Sequence, residues 1–150
     1  MKQINICSYL KLDSFGIEIP FSKSRKEFIS SFNENNIPMD MPTEMQIVVI
    51  SKLFSLDVVF FVSFQFNGEK LIAITMSPNI ALEGKALVNR YNNIQKALEN
   101  ELGHPHNRWR SIMNILDADN RISFWKREGI KIKHYLLNRF GMEEIINIKL

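Results

Sequence analysis

Two histidines separated by a single proline, His104-Pro105-His106, are the side chains in this sequence best suited to bind a metal. Asp117 and Asp119 follow a short distance along the chain, and imidazole together with carboxylate suits zinc and related metals. The proline keeps the two rings off a common helix face, and no further His or Cys stands at ligand spacing. We therefore expect these residues to lie in loops, and we predict no metal site.

Cys7 and His134 are the remaining candidates for nucleophilic or acid–base catalysis. Cys7 is the only cysteine and lies in a strand-like run, so we expect a structural thiol. His134 alternates with apolar residues, which predicts a core-facing histidine that is satisfied by a hydrogen bond. The sequence has no Gly-x-Ser-x-Gly motif and no glycine-rich phosphate loop. We expect no catalytic residues and no cofactor, and hence a protein that is not an enzyme.

Aromatic and basic residues alternate near the end of the chain in a pattern that favours a binding surface. If Arg127–Gly129 forms a three-residue turn and Asn138–Met142 a five-residue one, Lys131 pairs with Lys149, Lys133 with Asn147 and Tyr135 with Ile145. Ile122 and Phe124 then face the helices, and one set of aromatic and basic residues lies on the face turned away from them. That set is Trp125, Lys131, Lys133, Tyr135 and Lys149. Such a face suits an acidic protein surface or single-stranded nucleic acid. The alternative is that the lysines only solvate one side of an antiparallel sheet.

The run Arg108-Trp109-Arg110 gives a second candidate contact. Trp109 begins an apolar pattern at helical spacing, which predicts a short helix over 108–116 with Trp109 in the core. Arg108 and Arg110 flank it, and we expect them to meet an acidic partner.

A hairpin around Asn67-Gly68 organises the first half of the chain, because an Asn-Gly pair between two β-branched and aromatic runs is the strongest short-range hairpin signal. A two-residue turn would pair Phe64 with Leu71, and a three-residue loop would pair Phe64 with Ile72. We favour the second register, because it gathers the large apolar side chains on one face.

Two helices are expected, one in each half. Ser24 and Glu27 fit a capping box that starts the first helix, which buries Phe28 and Phe32. The second helix ends at Gly103 and carries an apolar stripe. The stripe consists of Leu87, Tyr91, Ile94, Leu98 and Leu102.

The order of elements predicts a single α+β domain over 1–150. Three strands follow each helix, at Gln46–Leu53 and the two arms of the hairpin in the first half, and at Arg121–Lys126, Ile130–Leu137 and Glu144–Leu150 in the second. We expect one antiparallel sheet of about six to eight strands with both helices on one face. The possible halves, 1–77 and 78–150, would be tandem αβββ repeats. This order resembles the tandem arrangement of β-lactamase-inhibitor-like proteins.

Charge and hydropathy narrow the functional classes. The chain has a net charge of +3, with −1 in residues 1–77 and +4 in residues 78–150, so the second half is the one that favours an acidic partner. The longest apolar run is far too short to cross a bilayer, and no secretory signal is evident. We expect a cytoplasmic protein that does not bind membranes.

One cytoplasmic domain with two αβββ-like halves, no catalytic motif and a composition rich in Ile and Asn resembles toxin-neutralising immunity proteins of bacterial polymorphic-toxin and contact-dependent growth inhibition systems. The resemblance implies tight binding to one cognate toxin. Because immunity proteins that block nucleases are often acidic and this chain is basic, it points to a target that is not a nuclease, or to binding away from the active site. The alternatives are a nucleic-acid-binding domain that uses the basic aromatic face, and an enzyme built on His104, His106 and His134.

Overall fold

The computed structural model describes residues 6–110, 120–138 and 142–150, and it has the α+β class expected from the sequence. Within these ranges it contains two helices, an eight-stranded antiparallel sheet and a two-stranded sheet. The elements are β1 (Tyr9–Leu12), β2 (Ile17–Pro20), α1 (Arg25–Glu34), β3 (Met39–Thr43), β4 (Gln46–Lys52), β5 (Val59–Asn67), β6 (Lys70–Pro78), α2 (Gly84–Leu102), β7 (Asn107–Arg110), β8 (Arg121–Arg127), β9 (Ile130–Asn138) and β10 (Met142–Lys149).

The large sheet consists of two four-stranded meanders that meet at its centre. Its strand order is β3-β4-β5-β6-β10-β9-β8-β7, so the last strand of each meander pairs with the last strand of the other. At the junction Ile74 of β6 lies opposite Ile148 of β10. One helix precedes each meander, as in the expected tandem arrangement, but each unit has four strands where three were predicted.

The two additional strands are β3 and β7. Pro38 and Pro42 are typical of a loop, yet β3 is an edge strand, where a proline is tolerated. Its pairing with β4 shifts between Asp40 and Thr43. The predicted helix over 108–116 is wrong at its start, because residues 107–110 form β7 and pair with β8. The rest of that prediction lies outside the described residues.

Helix α1 begins as the sequence predicts. The Ser24 hydroxyl accepts a hydrogen bond from the Glu27 amide, and the Glu27 carboxylate accepts one from the Ser24 amide. Phe28 and Phe32 are fully buried, and their rings lie 5.1 and 5.8 Å from the ring of Phe64 on β5. Helix α1 therefore covers the first meander through an aromatic cluster.

Helix α2 covers the second meander. All five residues of the predicted apolar stripe are buried. Gly103 ends the helix with a φ of 76°, a conformation that favours glycine, and its amide donates to the carbonyl of Glu99 at 2.8 Å. The ring of Tyr91 stacks on His134 of β9 with 4.0 Å between centroids.

Both helices lie on the same face of the sheet. Directly paired residues of antiparallel strands share a face. Phe64, which contacts α1, pairs with Ile74, and Ile74 pairs with Ile148. Two residues away on β10, Ile146 pairs with His134, which contacts α2. The opposite side, which we call the open face, has no helix of the described chain packed on it.

The register of the central hairpin differs from both predicted registers. Phe64 lies opposite Ile74, because the turn falls at Gly68-Glu69 and Ile72 is an extra residue that forms a bulge. The shift from the favoured register is two residues, so Phe64 still faces the core as predicted. Ile72 does not, since 40% of it is exposed.

Candidate functional site

The open face of the second meander is strongly basic. Lys131 on β9 lies directly between two cross-strand neighbours, Lys126 on β8 and Lys149 on β10. We call these three residues the lysine row. The next row along the strands holds Lys133, between Phe124 and Asn147. The predicted pairing of Lys131 with Lys149, of Lys133 with Asn147 and of Tyr135 with Ile145 is confirmed.

All four lysines are exposed, and none forms an ion pair with another described residue. Like charges that face each other across neighbouring strands are destabilising, by roughly 0.2–1 kcal/mol per pair. The nearest open-face carboxylate on β10 belongs to Glu143, six residues from Lys149 and hence about 20 Å along the strand. The exposed Glu128 lies closer, in the turn two residues after Lys126, but forms no ion pair with the lysines. The lysine row therefore presents concentrated positive charge to the solvent.

Trp125 does not belong to this surface, and the prediction that it lies on the open face is wrong. The side chain is 0% exposed, and its Nε1 donates a hydrogen bond of 2.9 Å to the carbonyl of Gly103 at the end of α2. Trp125 lies opposite Ile132 of β9, which faces the core. Its role in the structure is to hold the end of α2 against β8.

A turn one residue shorter than predicted explains this error. The chain reverses at Glu128-Gly129, and the φ angles of 48° and 84° are both positive, as in a type I′ hairpin. Because side chains alternate between faces, a slip of one residue exchanges the two sides of β8. Ile122 and Phe124, which were predicted to face the helices, therefore lie on the open face.

Tyr135 keeps its predicted place on the open face, although it is only partly exposed. It lies between Ile122 on β8 and Ile145 on β10, both of which are also partly buried. An apolar row thus runs beside the basic one. Lys126 and Phe124 were not predicted to belong to this surface. A two-residue turn at Glu128-Gly129, in place of the predicted three-residue turn, would have placed both of them there.

The two arginines of β7 lie apart from the lysine row. Arg108 pairs with Ser123, a buried residue on the helix side of β8, and its guanidinium forms an ion pair with the Glu99 carboxylate of α2. Arg110 lies in register with Arg121. Arg108 is therefore on the helix side of the sheet, and any partner that contacts it would approach from another direction than a partner on the open face.

His134 is the core histidine that the sequence predicts. It is 0% exposed, its Nδ1 lies 2.7 Å from Gln95 Oε1, and its Nε2 lies 3.5 Å from the carboxylate of Glu144. Burial lowers the pKa of His134, an effect that the Glu144 charge partly offsets. Arg90 Nε donates to Glu144 at 2.8 Å, so the buried carboxylate is neutralised by a cation on α2.

Tyr91 completes this buried group. Its ring stacks on His134, its hydroxyl donates to the carbonyl of His134 at 3.4 Å, and burial raises the pKa of Tyr91 to about 12. These contacts join α2 to β9 and β10. His134 therefore stabilises the packing of α2 on the sheet.

His104 and His106 lie in the segment between α2 and β7, as expected for loop residues. His104 is exposed, and His106 Nδ1 accepts a hydrogen bond of 3.3 Å from the amide of Lys126. Asp117 and Asp119 lie outside the described residues. Among the residues that the structure describes, no group of three or more His, Cys, Asp or Glu side chains is arranged to hold a metal ion.

Comparison with known proteins identifies no related protein. The chain matches no protein-family model, and it shows no significant similarity to a curated protein or to a solved structure. In the described part of the chain, neither helix has the length and apolar character required to cross a membrane.

Proposed function

We propose that this protein is a non-catalytic binding module whose open sheet face binds an acidic surface on a partner protein, and that the partner is a toxin which the binding neutralises. The observation that carries the proposal is the lysine row. Three cations in direct cross-strand contact lower the stability of the free protein, and carboxylates of a partner would relieve that repulsion. The resemblance to immunity proteins is the reason for proposing that the partner is a toxin.

The arrangement also favours rapid binding. A surface of one charge sign raises the rate of encounter with an oppositely charged partner, by one to three orders of magnitude at low salt. Such an effect benefits an inhibitor that must reach a toxin before the toxin acts. Lys133 in the adjacent row extends the same field.

The side chains with catalytic potential support a binding role, because they make structural contacts. His134 is occupied by Gln95 and by the Tyr91 ring, and His106 accepts from the backbone of β8. Burial raises the pKa of the Cys7 thiol, which lowers the thiolate fraction at neutral pH.

Co-expression with the product of the adjacent reading frame tests this function. Neutralisation requires that the adjacent product alone arrests growth, that this chain restores growth, and that the two proteins purify as a stoichiometric complex. The Lys126→Gln, Lys131→Gln, Lys149→Gln triple variant should fold and lose the rescue. The matched control, Lys85→Gln, changes an exposed lysine of α2 on the other side of the sheet and should restore growth. Absence of toxicity and of a complex would overturn the proposal.

A second candidate is single-stranded nucleic acid, and Phe124 is the observation that favours it. The ring lies on the open face directly opposite Lys133, so an aromatic surface for base stacking adjoins a phosphate-binding cation. Fluorescence anisotropy with labelled 20-nucleotide RNA and DNA separates the two functions. Binding that weakens steeply with salt and that Phe124→Ala or Lys133→Gln abolishes would favour the nucleic acid, and absence of binding at 50 mM salt would favour the protein partner.

A further inference from the structure

Two large apolar side chains lie exposed next to each other at the far end of the open face. Ile50 on β4 and Phe61 on β5 are direct cross-strand partners and are 49% and 43% exposed. Exposed neighbours of this kind mark interaction surfaces, whereas single apolar residues on a surface need no explanation.

The pair is continuous with the basic surface. Phe61 pairs with Ser77 on β6, and Lys149 pairs with Ala73 on the same strand and on the same face. From Phe61 to Lys149 is therefore two strand spacings across, about 10 Å, and four residues along, about 13 Å. Both lie within one standard interface, which covers roughly 800 Å² on each partner.

Between Ala73 and Ser77, the part of β6 that separates Phe61 from Lys149 has only small side chains on the open face. Ala73, Thr75 and Ser77 stand in a line on β6, with Phe61 on one side and Asn147 and Lys149 on the other. Asn147 Nδ2 donates to Thr75 Oγ1 at 3.0 Å, which holds its amide down against the sheet. The small side chains of β6 thus form a shallow depression, with the apolar pair on the β5 side and the lysines on the β10 side.

We propose that Ile50 and Phe61 form the affinity centre of the same interface, and that the acidic partner surface carries an apolar protrusion that packs on them across β6. This inference rests on the proposed function and specifies the partner surface. That surface carries an apolar protrusion, and its carboxylates lie to one side of the protrusion at a distance of about 16 Å. Charged residues set mainly the association rate, while desolvated aromatic contacts set mainly the dissociation rate. The two ends of the open face therefore have different kinetic roles.

Surface plasmon resonance with the immobilised adjacent-frame product separates these roles. Ile50→Ser and Phe61→Ser should each raise the dissociation rate at least tenfold and leave the association rate within twofold. Lys131→Gln should lower the association rate several-fold at 50 mM salt and alter dissociation less. The control is Met41→Ser, which removes an equally exposed apolar side chain that contacts Arg25 on the helix side of the sheet. Urea unfolding of every variant establishes that it is folded.

The outcomes separate the two proposals. A complex that Lys131→Gln weakens but that Ile50→Ser and Phe61→Ser leave unchanged overturns the affinity centre and retains the proposed function. A complex that neither set of variants affects, or no complex at all, overturns both.

Discussion

Lys131 and Lys149 are direct cross-strand partners on the open face, with no described carboxylate paired to either. Facing ammonium groups raise the free energy of the folded chain, because folding brings them together and the unfolded chain keeps them apart. A sequence selected only for stability would carry an opposite charge at one of these positions. This relationship is the physical basis for assigning the lysine row to binding.

Neutralising the centre of the lysine row should therefore stabilise the isolated protein. Lys131 faces both Lys126 and Lys149, so Lys131→Gln should raise the free energy of unfolding by about 0.5–1 kcal/mol. Urea titrations at 20 mM and 500 mM salt measure this gain, which should shrink at the higher salt because screening weakens surface electrostatics. Lys85→Gln, at an exposed position on α2, is the control. Equal effects from both substitutions would show that Lys131 experiences no special repulsion.

Substitution of Trp125 should damage the fold before it affects binding. Trp125→Phe removes the donor to the Gly103 carbonyl and leaves space beside Ile132, so a loss of roughly 2–3 kcal/mol is expected. Chemical denaturation measures the loss. A variant of unchanged stability with weakened partner binding would instead place Trp125 in the interface, contrary to its complete burial.

His134 should make the protein sensitive to acid. Burial lowers the pKa of His134 below its ordinary 6.5. As the pH falls below about 6.5 the unfolded chain binds a proton that the folded chain does not, so stability is full above this pH and is lost below it, by up to about 1.4 kcal/mol per pH unit.

The slope is the informative quantity in this experiment, because His134→Gln itself lowers stability by disturbing the contacts with Gln95 and Tyr91. Free energies of unfolding between pH 5 and pH 8 should show a weaker pH dependence in His134→Gln than in the wild type. His104→Gln, at an exposed position, provides the comparison. Identical slopes in all three proteins would contradict the assignment.

Glu101 should have the opposite pH dependence. Burial, and secondarily the charge of Asp13, raises the pKa of Glu101 to about 7, and its Oε2 is buried with no hydrogen-bond partner. A raised carboxyl pKa means that its contribution to stability is complete below the unfolded value near 4.5 and is lost as the pH rises through about 7.

Replacing Glu101 with the neutral Gln should therefore stabilise the protein at pH 8 and leave its stability nearly unchanged at pH 5. We expect a gain of about 1 kcal/mol at pH 8, since partial solvation of the carboxylate reduces the full effect. Melting temperatures at the two pH values measure it. Glu99→Gln would not serve as a control because Glu99 pairs with Arg108, so Glu34→Gln on the exposed side of α1 is used. A gain at pH 5 equal to that at pH 8 would contradict the raised pKa.

The parts of the fold that the sequence predicted are those with strong local signals. The capping box at Ser24 and Glu27 and the long apolar stripe that ends before Gly103 are determined within a few residues of the chain. The pairing of β9 with β10 was also predicted, because a turn over 138–142 sets Lys131 opposite Lys149 and thereby places Ile132 and Ile148 on the core face.

The predictions that were wrong concern strand registers, which a turn or bulge of one residue changes and which tertiary packing determines. The length of the Glu128-Gly129 turn determines which side of β8 faces α2, and burial of the indole of Trp125 outweighs that of the Phe124 ring. The bulge at Ile72 similarly shifts the hairpin register, and no local pattern marks it. The exposed pair Ile50 and Phe61 was missed because both residues stand in runs that are apolar throughout.

The salt dependence of the complex tests the central claim most directly. The dissociation constant of the purified complex with the adjacent-frame product should be measured between 50 and 500 mM salt, for the wild type, for the Lys126→Gln, Lys131→Gln, Lys149→Gln triple variant and for Lys85→Gln on α2. Binding through the lysine row predicts that wild type and Lys85→Gln weaken steeply with salt, while the triple variant binds more weakly at low salt and depends little on salt. Identical affinities and slopes in all three proteins would show that the partner does not bind the lysine row.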